Sequence, residues 1–300
     1  MEMEYCANCG GAESKDGDKH ITLKSCGACK SVRFCSAKCQ KVHWSKHKGA
    51  CKMRAAELIR DKIIFKQPDG NHLGDCPICC LPMPANERLC SVMVCCSTYV
   101  CWGCRYANVE REYKDGLAFK CPFCRSSHGS KEENNTSQMK RAEANNPIAL
   151  CGVGRKLDEE GDYNGAFKYY SKAHLLGNVA AEYNLAELYY VGKGTKKDET
   201  MVMKHLTSAA IGGHPDARYM LGAMEFKNGG QGRAVKHWII AAKQGNDEAI
   251  KTLKQINAGT KGLLSKVDFS SALRGHQLAA GAAKSRKREE ALEMLDRHGL

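Results

Sequence analysis

The segment CGACKSVRFCSAKCQKVHWSKHKGAC, residues 26–51, decides how the N-terminal part of this chain must fold. Two residues separate Cys26 from Cys29, five separate Cys29 from Cys35, and three separate Cys35 from Cys39. Seven more lead to His47, and three from there to Cys51. Gaps of two or three residues let two side chains reach one zinc ion without strain. The pairs Cys35/Cys39 and His47/Cys51 are also spaced to share one face of a helix. Extending the segment toward the N-terminus adds Cys6 and Cys9, which supplies enough ligands for two tetrahedral sites. So short a module buries only a small core, and metal is expected to supply most of its stability, on the order of 10 kcal/mol per site.

The chain of 300 residues is long enough for two or three domains, and its 18 cysteines divide it unevenly, since only Cys151 lies beyond Cys124. The opening MEMEYCANCG lacks an apolar signal core, and no stretch approaches the roughly 20 apolar residues of a bilayer span. A soluble intracellular protein, cytoplasmic and/or nuclear, is therefore expected. In a reducing compartment paired cysteines read as metal ligands, whereas a secreted chain would use them as disulfides. No thioredoxin-like pattern of strand and helix surrounds them, which argues against redox chemistry. The formal charge of +13 suggests nucleic acid at first sight. Zinc-bound thiolates change that sum, and fifteen cysteines on four Zn²⁺ would leave about +6. Basic runs such as Lys284, Arg286, Lys287 and Arg288 then read as solvated helix faces, and nucleic acid is not expected as a partner.

Residues 26–51 closely resemble the MYND zinc finger. The resemblance implies a cross-braced pair of sites, one of Cys6, Cys9, Cys35 and Cys39 and the other of Cys26, Cys29, His47 and Cys51. Its WxxHxxxC ending favours His47 over the rival His43. The loop between Cys9 and Cys26 is longer than is usual in the family, and the insert from Gly10 to Ser25, with His20 in it, is expected to bulge clear of the metal. MYND fingers bind peptides, often proline-containing, and family members use a Gln and a Trp at positions matching Gln40 and Trp44. An exposed indole suits proline rings, because extended proline-rich peptides lose little entropy on binding. The alternative is that Trp44 packs over the zinc site.

A second series follows: Cys76, Cys79, Cys95, Cys96, Cys101, Cys104, Cys121 and Cys124. Its opening CPIC and ending KCPFCR resemble a RING finger in an all-cysteine variant. The resemblance implies one zinc on Cys76, Cys79, Cys101 and Cys104, and another on Cys95, Cys96, Cys121 and Cys124. An ordinary RING would carry histidine where Thr98 stands, and adjacent cysteines chelate one ion only from a distorted loop. Cys90 is therefore an alternative to Cys95, and Cys80 a weaker one. RING fingers commonly act as ubiquitin ligases by holding the thioester of a ubiquitin-conjugating enzyme so that a lysine can attack it. The family's contact positions match Ile78, Pro122 and Arg125 here, and arginine suits the last because its planar fork bonds two partners at once.

Beyond a polar stretch from Arg125 to Asn146 the sequence repeats. NPIALCGVGRKL, NVAAEYNLAELY, HPDARYMLGAMEF and NDEAIKTLKQI align on Ala149, Ala181, Ala217 and Ala249, at intervals of 32, 36 and 32 residues. Val153, Leu185, Leu221 and Leu253, four residues further on, mark one helix face. The segments between them end in glycine, a helix stop. Paired helices at this period indicate a solenoid, and YVGKGTKKDETMVMKHLTSAAIGG resembles the Sel1 consensus, a relative of tetratricopeptide repeats. Such surfaces bind proteins. Tyr169, Tyr170, Tyr183, Tyr189, Tyr190 and Trp238 could anchor a partner, although most are expected to fill the interhelical core.

The expected architecture is two small cross-braced zinc modules followed by an all-α solenoid. A MYND-type finger is assigned to 1–54, a helical or polar linker to 55–73 and a RING-like finger to 74–127. A linker leading into helix follows at 128–145, then Sel1-like repeats over 146–258 and capping helices over 259–300. No nucleophile with its base, no phosphate-binding glycine loop and no methyltransferase domain beside the MYND finger stands out. The resemblances imply a zinc-binding interaction scaffold with two Zn²⁺ in each module, acting as a RING-type E3 ubiquitin ligase or ligase subunit. Its partners would be proteins and peptides, a ubiquitin-conjugating enzyme among them. The alternative is a non-enzymatic zinc-finger/Sel1 adaptor; a third reading is a nucleic-acid-associated regulator.

Overall fold

Ser36 starts the first helix, its hydroxyl accepting the Cys39 N–H at 3.2 Å as an N-cap. In the computed structural model, which describes residues 5–12, 21–127, 129–260 and 262–298, this helix is α1 (Ala37–Ile64). Ahead of it, β1 (Lys24–Ser25) and β2 (Arg33–Phe34) pair antiparallel, Lys24 opposite Phe34. His47 and Cys51 are buried on the face of α1 that meets Leu23 and Phe34. The helix runs on past the expected boundary at residue 54 to Ile64, with Met53, Ile59 and Ile63 exposed. The insert at 13–20, and His20 with it, lies outside the described residues. These elements belong to the first of two units, Met1–Lys66; the second is Gln67–Leu300.

The second unit opens with a hairpin, β3 (Cys90–Met93) and β4 (Thr98–Cys101), Cys90 opposite Cys101 and Met93 opposite Thr98. It feeds directly into α2 (Trp102–Lys114). Met83, Met93 and Val100 are the apolar centre around which the cysteines sit. The polar stretch expected as a linker leading into helix contains α3 (Lys131–Glu143), begun by a capping box in which Ser130 and Glu133 satisfy each other's backbone N–H. Arg141 of α3 reaches back to the carbonyl of Cys95 at 2.7 Å.

The helix pairs follow: α4 (Pro147–Glu159) with α5 (Tyr163–Leu175), α6 (Val179–Val191) with α7 (Glu199–Ile211), and α8 (Pro215–Lys227) with α9 (Gln231–Lys243). Then come α10 (Asp247–Gly259), α11 (Lys266–Ala282) and α12 (Arg286–His298). Each repeat restarts the same way. A residue in the left-handed region, Asn145, Gly177, Gly213 or Gly245, turns the chain. The next residue, Asn146, Asn178, His214 or Asn246, then caps the new helix by accepting the N–H of Ala149, Ala181, Ala217 or Ala249 at 3.0, 2.8, 3.3 and 2.7 Å. Those alanines are almost fully buried, so the repeat seen in the sequence is a ladder of caps over a seam of small residues. One such close approach is at Gly222, where an added Cβ would lie 2.6 Å from Trp238 Nε1. Tyr170 and Trp238 are buried core members, while Tyr190 is half exposed.

Polar side chains also lie inside the solenoid. Arg218 is fully buried and donates to the Ala210 carbonyl at 2.6 Å; burial lowers its guanidinium to about 10. His237 is fully buried as well, and burial, helped by the Arg218 and Arg233 charges, lowers its imidazole to about 3. Glu182 accepts from His205 and Ser208 at 2.7 and 2.6 Å and lies 2.8 Å from His174 Nδ1. Replacing Asn178 by Ala is expected to cost about 1 kcal/mol and by Ser much less. Gly222→Ala should cost about 1–3 kcal/mol through overpacking, both read from denaturant midpoints. The unfolded chain protonates His237 near its ordinary value while the folded chain does not. Stability is therefore lost as pH falls below about 6.5. Between pH 7.5 and 5.5 the wild type should lose about 1 kcal/mol more than His237→Gln.

Candidate metal centres

Four groups of cysteine and histidine each bring four ligand atoms within 4.8 Å of one another: Cys6, Cys9, Cys35 and Cys39; Cys26, Cys29, His47 and Cys51; Cys76, Cys79, Cys101 and Cys104; and Cys95, Cys96, Cys121 and Cys124. A zinc ion with Zn–S bonds near 2.3 Å at the centre of a tetrahedron sets its sulfurs about 3.8 Å apart. The pairs Cys9–Cys35, Cys35–Cys39 and Cys26–Cys51 are 3.6, 3.5 and 3.7 Å apart. Cys79–Cys101, Cys95–Cys124 and Cys96–Cys121 are 3.8, 3.4 and 3.9 Å apart, and Cys29 Sγ stands 3.3 Å from His47 Nε2. A disulfide would need about 2.05 Å. The donor sets therefore fit a thiolate-bound metal such as zinc.

Local backbone geometry makes these groups. Each of CANCG, CGACK, CPICC and CPFCR forms the same tight turn. The residue after the second cysteine, Gly10, Lys30, Cys80 or Arg125, adopts positive φ and donates its N–H to the carbonyl of the first cysteine at 2.8–3.0 Å. The turn aims a backbone N–H at sulfur, as from Cys124 to Cys121 Sγ (3.5 Å), and the first turn of α2 does the same from Cys104 to Cys101 Sγ (3.4 Å), where Cys101 is the N-cap. Burial raises the Cys26 thiol, but the Cys29 N–H and the His47 side chain outweigh it and bring it down to about 6. The Cys101 thiol, followed by backbone N–H groups, lowers Cys76 to about 4. Metal needs such thiolates.

The two pairs of groups are interleaved along the chain, each group combining cysteines from two separated turns. His43 stays outside the first module's groups, its ring 5.7 Å from Phe34. In the second module β4 carries Cys101 directly from the hairpin into α2. Cys95 and Cys96 stand in the hairpin turn, which Ser97 closes at positive φ. The distortion that adjacent ligands require is thus placed in a turn, where it interrupts no strand pairing. Cys90 is paired within β3, and burial, with the Glu87 charge, raises its thiol to about 12. Cys80 is exposed at the end of its turn. Thr98 donates to the Cys96 carbonyl at 3.4 Å.

Of the other residues named from sequence, Ile78 is 40% exposed at the tip of its turn and Pro122 is half-buried. Arg125 is engaged inside the module. It donates to Asn108 Oδ1 at 3.0 Å and pairs with the buried Glu112 at 3.2 Å. Trp44 is 41% exposed and sets its ring edge-on to His47, so it both faces solvent and packs over a candidate ligand, with Gln40 half-buried one turn before it. Arg288, expected on a solvated face, is not there: it donates to Cys79 Sγ at 3.4 Å, while Arg286 of the same basic run is solvent-facing. Helical spacing alone could not have shown this, because the contact joins residues 209 apart.

A fifth group, unmarked in the sequence, gathers His72, Glu87 and His214. Both imidazole Nε2 atoms lie 3.2 Å from Glu87 Oε1, and the two rings stack in parallel 4.3 Å apart. His214 Nδ1 accepts the Ala217 N–H, which leaves the neutral ring's proton on Nε2, facing the carboxylate. That tautomer leaves His214 Nε2 no lone pair for a metal, and the group reads as a polar clasp between the second cysteine module and the solenoid. Arg155 adds a 3.8 Å contact to Glu87. Burial raises the Glu87 carboxyl, but the His214 and His72 side chains outweigh it and hold it well below the usual carboxylate range.

Comparison with known proteins gives one family match and similarities to solved structures. Residues 6–51 match the family model of the MYND finger. Among solved structures, a Sel1 repeat protein from Oxalobacter formigenes is 27% identical with a TM-score of 0.45, over 58% of this chain and 71% of that one. A protective antigen of uropathogenic Escherichia coli strains with an SLR fold is 20% identical with a TM-score of 0.42, over 65% of this chain and 40% of that one. No described helix is long and apolar enough to cross a membrane. Cys95→Ser is expected to lower the zinc content of the purified chain by about one ion, and Cys90→Ser to leave it unchanged, measured by elemental analysis.

Proposed function

We propose that this zinc-binding interaction scaffold is a RING-type E3 ubiquitin ligase or ligase subunit. The second module would recruit a ubiquitin-conjugating enzyme while the MYND finger and the helical repeats select partners. The observation that carries the reading is the pair of interleaved four-cysteine groups with Ile78 left exposed and Pro122 half-buried on their turns. Apolar side chains on metal-held turns have little conformational freedom left to lose, so a partner can dock on them at low entropic cost. The module would supply no acid, base or nucleophile. Its contribution would be to restrict the thioester of the bound enzyme to an attack-ready arrangement. In the first module Trp44 and Gln40 on α1 would receive proline-containing peptides, the exposed indole stacking on proline rings. The protein would act in the cytoplasm and/or nucleus, with two zinc ions in each module.

One observation favours the second reading, a non-enzymatic adaptor. Arg125, at the position that the RING resemblance gives as a contact to the conjugating enzyme, has its fork committed to Glu112 and Asn108. The two readings separate in a reconstituted reaction of zinc-loaded protein with activating enzyme, a panel of conjugating enzymes and ubiquitin. The ligase reading predicts chain formation that Ile78→Ala lowers at least tenfold with zinc content unchanged. Absence of chains with every conjugating enzyme tried supports the adaptor. Arg125→Ala is the less clean variant, because it also takes the nearer cation, at 3.2 Å, from the buried Glu112 and leaves it Arg111 at 3.8 Å.

A further inference from the structure

The helix α12 does not continue the solenoid. It packs along α2 of the second zinc module, whereas α11 covers α9 and α10. Its first turn carries Arg288, which spreads one guanidinium over the chain that leaves the Cys76–Cys79 turn. Nη2 donates to Cys79 Sγ at 3.4 Å and to the Leu81 carbonyl at 3.3 Å, and Nη1 to the carbonyls of Pro82 and Ala283, both at 2.7 Å. The contact needs a residue without a side chain opposite it. At Gly103, between Cys101 and Cys104, an added Cβ would fall 2.8 Å from the Arg288 backbone nitrogen and 2.9 Å from its Cα. Two backbones therefore meet at the metal-binding turn itself. Ala291, one turn further along α12, is fully buried, and Lys287 lies 3.4 Å from Glu110 of α2.

We infer that Arg288 is a positioning residue for the zinc group of Cys76, Cys79, Cys101 and Cys104, and that α12 is a working part of that module. The inference rests on the zinc reading of those four cysteines. Four thiolates on one Zn²⁺ carry a net charge of −2, and a guanidinium beside one sulfur offsets part of it. An N–H···S bond also withdraws electron density from the thiolate, which lowers its tendency to take up the proton that would free it from the metal or to react with oxidants. The Leu81 and Pro82 bonds fix the strand that follows the turn, so the guanidinium holds both the charge and the geometry of the group.

The test uses the full chain, zinc-loaded, as wild type, Arg288→Ala, Arg288→Lys and Gly103→Ala. Zinc transfer to a chromogenic chelator is followed in time, and the cobalt-substituted proteins are compared by absorption. In Arg288→Ala one ion per chain should leave about tenfold faster or more, the others at wild-type rates. Its sulfur-to-cobalt charge-transfer band should move to lower energy as the thiolate becomes a stronger donor. Arg288→Lys, which keeps the charge without the fork, should restore part of the rate. Gly103→Ala, with Arg288 intact, should accelerate the same ion. Wild-type release in both Arg288→Ala and Gly103→Ala overturns the inference, and so does equal acceleration of every ion, which would mean general unfolding. A wild-type zinc content that Cys76→Ser does not lower removes the zinc reading itself, and the inference with it.

Discussion

Sulfur atoms from segments 22 to 29 residues apart, held 3.4–3.9 Å from one another, gather as a cation at their centre would require. As thiolates they repel one another, and as thiols they make only weak hydrogen bonds. Both cysteine modules depend on this one constraint. Among its described residues the first has a central cluster of six buried side chains, four of them cysteines, with Leu23 and Phe34 as conventional core. The second is built alike around Met83, Met93 and Val100. Cores of that size cannot offset the entropy of ordering their loops. The metal groups are thus the cores, and the short hairpins and first helical turns are arranged to serve them.

The second module does not depend on metal alone. Its lead-in loop lies on the solenoid, with the His72 N–H on the Gly213 carbonyl and Gln244 donating to the carbonyls of Gly70 and Gly213. Glu87 meets His214, the helix cap of the third repeat, so one imidazole both starts a helix and pairs with the zinc module. Arg141 bonds to Cys95 at one zinc group and Arg288 to Cys79 at the other. Solenoid repeats otherwise contact only their neighbours. Here the turns between repeats double as a platform that holds the second cysteine module at a fixed place on the helices.

Much of this was legible in the sequence, for a physical reason. Zinc turns are local, so CxxC and the spacings of four carry their own geometry, and the repeat alanines mark where helices touch. The helices over Lys131–Glu143 and beyond residue 54 were harder to read, because polar helices show little apolar periodicity. Arg288, Arg141 and the His72–Glu87–His214 clasp were invisible to it. Each is a contact between elements far apart in the chain, made by a polar residue whose type fits an exposed helix equally well. The one mark available was Gly103, a glycine inside a chelating turn, which signals close backbone approach without saying to what.

The central claim is that metal bound mainly by sulfur holds both modules. X-ray absorption at the zinc edge of the purified chain measures it directly, because the averaged first shell reports donor type and distance together. Fifteen sulfurs and one imidazole nitrogen over four groups predict a shell of nearly four donors, almost all sulfur, at about 2.3 Å. A shell dominated by nitrogen or oxygen near 2.0–2.1 Å would contradict the account.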